Sequence, residues 1–109
     1  QISLSVQVQG PILAKHSYTK YSTVTGAVYR IKLNEAVSKR LLELLEERKM
    51  TQYQLYMKSG VPKSTIGNVI NCSYDSVKLR IIHEMCQGMG IGIDTFFASP
   101  LFQEDNLEP

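Results

Sequence analysis

Lys63, Ser64, Gly67, Asn68 and Asn71 stand within nine consecutive residues and are small, polar or basic, with no acid among them. Side chains of this kind can donate and accept hydrogen bonds. An asparagine amide can pair twice with adenine, and a lysine can donate to O6 and N7 of guanine. An acid in the same run would repel phosphate. Bond-making chemistry is harder to assemble. The only histidines are His16 and His83 and the only cysteines Cys72 and Cys86, and no CxxC or HExxH spacing occurs. No nucleophile with a base partner, no paired buried carboxylates and no phosphate loop appear. The expectation is a chain with no catalytic residue, no metal and no cofactor. Cys86 falls in an apolar helical pattern and reads as a buried thiol, with a redox switch as the alternative.

A helix must carry these residues if they are to share a face. Pro62 suits the first turn of one, and Ile66, Val69 and Ile70 supply its inner side. Gly60 stops an earlier helix, because a left-handed terminal residue costs least without a Cβ. That earlier helix begins at Thr51, which forms a capping box with Gln54, and it turns Leu55 and Tyr56 inward. Helices of about eight residues are unstable alone, so each relies on packing shared with the other. Leu55, Val61, Ile66 and Val69, with Gly60 at the bend, make two helices cross steeply around a small core. The second helix, at about 62–71, then protrudes and fits the major groove of DNA. The alternative for Lys63, Ser64 and Asn68 is an ordinary solvated face.

Around this pair the chain reads as one domain of 109 residues, 43% hydrophobic and 20% charged, which is ordinary globular composition. A first helix runs from an N-cap at Asn34 to about Arg48, with Val37, Leu41, Leu44 and Leu45 inward. A fourth, from about Ser76 or Val77 to Gln87, puts Leu79, Ile82, Met85, Cys86 and Met89 on one stripe. Ile93, Phe96 and Phe97 suggest a fifth. The Met85/Met89 and Phe96/Phe97 cluster reads as core rather than ligand pocket, and His83 as a surface residue. Residues 99–109 read as a polar tail. Residues 1–33 differ: ISLSVQVQ alternates with period two, and STVTGAVYRIKL is rich in β-branched and aromatic residues. They read as a strand-forming arm, a hairpin or dimerisation segment. Tyr18, Tyr21 and Tyr29 interleave with Lys15, Lys20 and Arg30 there, which suits a strand face packed on a partner better than nucleic-acid stacking. The net charge is +2, with a basic front and an acidic tail, so a polyanion should meet the front or the middle. No apolar run is long enough to cross a membrane and no signal pattern opens the chain, so a cytoplasmic location is expected.

The stretch from Thr51 resembles the helix-turn-helix of the lambda-repressor-like family, the Cro/repressor or XRE-type regulators. Thr51-Gln52, Leu55, Gly60-Val61, Ser64-Thr65-Ile66 and Val69 carry the likeness. It continues through Leu79, Ile82, Met85, Met89-Gly90-Ile91 and Asp94-Thr95-Phe96-Phe97, so that it covers residues 34–98. The resemblance implies a mainly α, five-helix DNA-binding domain preceded by the arm at 1–33. It also implies roles by position. Gln52 would contact a phosphate or outer base, Lys63, Ser64 and Asn68 would read base edges, and Thr65 and Asn71 would touch the backbone. Three residues depart from the family pattern. Pro62 replaces a capping Ser or Thr, Tyr56 a small alanine, and Cys72 a glycine after the recognition helix.

The function so implied is a sequence-specific DNA-binding transcriptional regulator, a repressor, that binds double-stranded DNA as a homodimer. The alternative is an antitoxin or other interaction module that uses the same fold and grips a protein partner through residues 1–33.

Overall fold

The computed structural model describes residues 19–23 and 26–109, with side chains from Arg30 onward. The described elements are two strands, β1 (Thr19–Thr23) and β2 (Gly26–Arg30), then five helices: α1 (Leu33–Glu47), α2 (Gln52–Ser59), α3 (Lys63–Ile70), α4 (Leu79–Met89) and α5 (Ile93–Phe97). Single 3-10 turns follow at Pro100–Phe102 and Glu104–Asn106. The strands pair antiparallel, Thr19 opposite Arg30 and Thr23 opposite Gly26. The segment expected to give one strand thus contributes β2 and only the end of β1. The strand expected at residues 2–9 and the side chains of Lys15, Tyr18, Lys20, Tyr21 and Tyr29 lie outside the described residues.

One apolar cluster holds the helices together. Val37, Leu41, Leu44 and Leu45 from α1 meet Leu55 of α2, Val61, Ile66 and Val69 around α3, and Ile82, Met85, Cys86 and Met89 of α4, with Phe96 closing one end. Met85, Cys86 and Phe96 have no solvent exposure, so the sulfur-rich and aromatic residues are core. His83 is exposed. Leu79 departs from expectation. Helix α4 begins there rather than at Ser76 or Val77, and the side chain at that first position is 63% exposed.

The helix ends follow from local chemistry. Thr51 Oγ1 accepts from the Gln54 amide at 3.0 Å and Gln54 Oε1 accepts from the Thr51 amide at 2.9 Å, the reciprocal box expected at the start of α2. Gly60 (φ 78°) and Gly90 (φ 73°) end α2 and α4 in the left-handed region. At the start of α1 the expected cap does not form. Lys32 holds that position and its amide is bound by the Glu35 carboxylate at 2.9 Å, while Asn34 lies inside the helix. Its amide is committed elsewhere, donating to the Tyr74 carbonyl at 2.9 Å. Pro62 sits one residue before α3 rather than within it, and its carbonyl accepts from the Ile66 amide.

The C-terminal segment returns to the core. Phe102 packs edge-on against Phe97, ring centroids 4.8 Å apart, and the Ile31 amide donates to the Asn106 carbonyl at 3.0 Å. The Glu108 amide returns a bond to the Ile31 carbonyl at 2.9 Å, and Ile31 is buried. So the segment that reads as a polar tail is docked, and it clamps the end of the strand arm. Arg40 completes this end by donating from Nε to the Phe96 carbonyl at 2.7 Å and from Nη2 to the Thr95 carbonyl at 2.8 Å, which satisfies the C-terminus of α5.

Helices α2 and α4 approach closely at Gly88, where a Cβ would stand 2.7 Å from Ser59 Cβ and 3.0 Å from its Cα. Backbone on the far side cannot yield. Gly88→Ala should therefore lower stability by about 1–3 kcal/mol although alanine favours a helix. Urea unfolding followed by circular dichroism measures it.

Candidate nucleic-acid interface

The orientation of α3 is set by what it buries. Ile66 and Val69 are 1% and 6% exposed and point into the cluster. At about 100° per residue, Ser64, Gly67, Asn68 and Asn71 fall on the opposite side, with Lys63 and Thr65 on its two flanks. Lys63, Ser64 and Asn71 are exposed, and Thr65 and Asn68 are half-buried. Gln52, the first residue of α2, is exposed as well. The six candidate residues therefore lie at the surface, five on α3 and its cap and one on the neighbouring helix. Beside them a groove of about 440 Å³ is lined by Thr65, Asn68 and Val69 of α3 and by Tyr74, Val77 and Ile81 across from it.

Tyr53 is a residue that the sequence reading left aside. Its exposed ring lies under the Lys63 ammonium, 5.4 Å from the centroid, and tilts against Tyr56 at 5.9 Å. A cation over an aromatic face is held by the ring quadrupole, so α2 orients the flanking base of α3. Only the fold brings residues 53 and 63 together. The electrostatics had a plainer signal. Between Glu47 and Asp75 the chain has no acid and four bases, Arg48, Lys49, Lys58 and Lys63, and all four are exposed.

The C-terminus of α3 is fixed from below by a polar strip on α1. Asn34, Glu35, Ser38 and Lys39 are all buried. Ser38 Oγ donates to the Ile70 carbonyl at 2.6 Å, filling one of the acceptors a helix end leaves open. Burial pushes the Lys39 ammonium pKa below its usual value, against the raising influence of Glu35 and Glu43. Beyond Asn71, the Cys72 amide donates to the Val69 carbonyl and the Ser73 amide to the Asn68 carbonyl, the paired closure of a helix end that normally needs glycine. Cys72 nevertheless adopts φ 56° there. Cys72 thus takes a left-handed backbone conformation in which glycine is usual, and its thiol donates to the Asn34 carbonyl at 3.7 Å. Burial raises the pKa of both cysteine thiols, so neither is a ready thiolate at neutral pH. The other two departures are equally local. Tyr56 is half-buried against the cluster, and Pro62 leaves α3 with no side-chain cap.

Two short helices crossing at a glycine bend, the second one outward, define a helix-turn-helix domain. The chain belongs to the Cro/C1-type HTH DNA-binding domain family, whose model matches residues 40–98. Among solved structures it is similar to the wild-type restriction-modification controller protein C.Esp1396I, at 23% identity and a TM-score of 0.55, over 60% of this chain and 84% of that one. Two variants of that protein, with a tyrosine changed to phenylalanine or to alanine, give the same identity and score over 81% and 83% of their chains. These likenesses establish the fold. No curated protein matches the chain. Among the described residues, no helix is long and apolar enough to cross a membrane.

Since Ser38 is the α1 side chain that holds the end of α3, Ser38→Ala should strand the Ile70 carbonyl and cost about 1–3 kcal/mol. Amide exchange should quicken at residues 68–73 beyond the rest of the molecule, as hydrogen-exchange NMR can show.

Proposed function

We propose that this protein is a sequence-specific DNA-binding transcriptional regulator, a repressor, whose helix α3 reads the major groove. The observation that carries the reading is the division of α3: Ile66 and Val69 inside, and a polar face without acids outside, within a surface run whose only charges are positive. Lys63, Ser64 and Asn68 would meet base edges, with Asn68 suited to adenine and Lys63 to guanine. Gln52 would touch a phosphate or an outer base, and Thr65 and Asn71 the sugar–phosphate backbone. The uncapped first turn of α3 presents amides that favour phosphate. A fold neighbour is a restriction-modification controller protein, which agrees with a regulatory role.

The protein would act as a homodimer, setting two α3 helices into successive major grooves about 34 Å apart on a near-palindromic site. Selection from a random duplex pool, with the mass of the protein measured in solution, tests this. A palindrome and a dimer mass are expected; a single unpaired half-site with a monomer mass would contradict the dimer.

A second reading makes residues 1–33 the grip on a protein partner, as in an antitoxin. Its support is the two-stranded hairpin, a motif marginal on its own in water. Co-purification of one stoichiometric partner through high salt would favour it.

Two outcomes bear on the readout. Affinity for the selected site should fall steeply with salt, as counterions released from phosphate drive much of the binding. Asn68→Ala should cost about 1–3 kcal/mol on that site and little on unrelated duplex. Fluorescence anisotropy measures both, and equal losses on the two duplexes would remove Asn68 from base reading.

A further inference from the structure

Glycine is a poor helix former, because an unbranched backbone loses the most freedom on folding. At three other glycines of this fold the reason is visible. Gly60 and Gly90 hold left-handed backbone, and Gly88 admits Ser59 against its bare surface. Gly67 has neither reason. It lies in the middle of α3, its φ is not in the left-handed region, and nothing stands within 4 Å of where a Cβ would be. The neighbouring faces are not bare: Lys63 and Ser64 lie one turn before it and Asn71 one turn after. Inside the molecule, then, Gly67 weakens the helix and gains nothing.

We infer that Gly67 is the place where bound DNA comes against the backbone of α3. This rests on the proposed function and deepens it: Gly67 is a positioning residue, a notch in the reading face. A side chain there would stand between α3 and the duplex and would hold Ser64 and Asn68 away from the base edges and Asn71 away from the sugar–phosphate backbone. Their amides and hydroxyl are short, so a displacement of about an ångström takes donors beyond the 3.2 Å reach of a hydrogen bond. The polar face of α3 has only short side chains apart from Lys63 on its flank, which agrees with a helix that must seat deeply.

Gly67→Ala tests the inference because the two readouts should move in opposite directions. With open space around the new methyl group and a better helix former in place, the melting temperature should rise by about 4 °C. Affinity for the duplex selected by the wild-type protein should fall roughly tenfold or more. Affinity unchanged by the substitution would overturn the inference, and so would a fall in melting temperature, since glycine would then be serving the fold. Wild-type protein that selects no duplex would instead remove the proposed function on which the inference stands.

Discussion

A helix of eight residues does not persist alone in water, and α2 and α3 are both that length. Their existence depends on the apolar cluster under them. Leu55, Val61 and Ile66 are each no more than 1% exposed and touch the same core as Leu41 and Met85. The orientation of α3 follows from this requirement. Once Ile66 and Val69 must face the core for the helix to exist, the opposite side has to face solvent or a partner. The polar residues of that side are displayed by the burial of the others.

Two kinds of bracing refine this arrangement. Hydrogen bonds from α1 act below the helix: Ser38 fixes the last carbonyl of α3, and Asn34 fixes the loop beyond it through Tyr74. The chain closure at Cys72 turns the backbone sharply at the same point, in a conformation that costs a non-glycine residue about 1–2 kcal/mol. Above the helix, Tyr53 lies against the Lys63 ammonium. The polar face proposed to read DNA is thus held at both ends by side chains from other elements, which suits an interface that must present hydrogen-bonding groups in fixed positions.

Elements whose signals are local were legible in the sequence. The Thr51–Gln54 box, the stop at Gly60 and the apolar spacing of all five helices need only neighbouring residues to be understood, and they gave the fold and the outward side of α3. Readings failed where a distant partner decides the outcome. Asn34 is a good cap by type, yet its amide is taken by a carbonyl 40 residues away. Leu79 fits the apolar stripe of α4 but stands at its first turn, beyond the core. Residues 99–109 look polar, but Phe102 finds two aromatic rings and Leu107 bridges to Ile31. The pairing of Tyr53 with Lys63 joins two helices and has no signature in either. Gly67 was visible as a letter, while the empty space around it was not.

The account turns on α3 meeting DNA with its polar side. Backbone amide shifts of labelled protein, followed by NMR during titration with the selected duplex, test that contact directly. The largest changes should fall at Gln52 and at residues 63–71, while the α5 and 3-10 segments stay near their free positions. Changes gathered on the hairpin or on α5, with residues 63–71 unmoved, would contradict it.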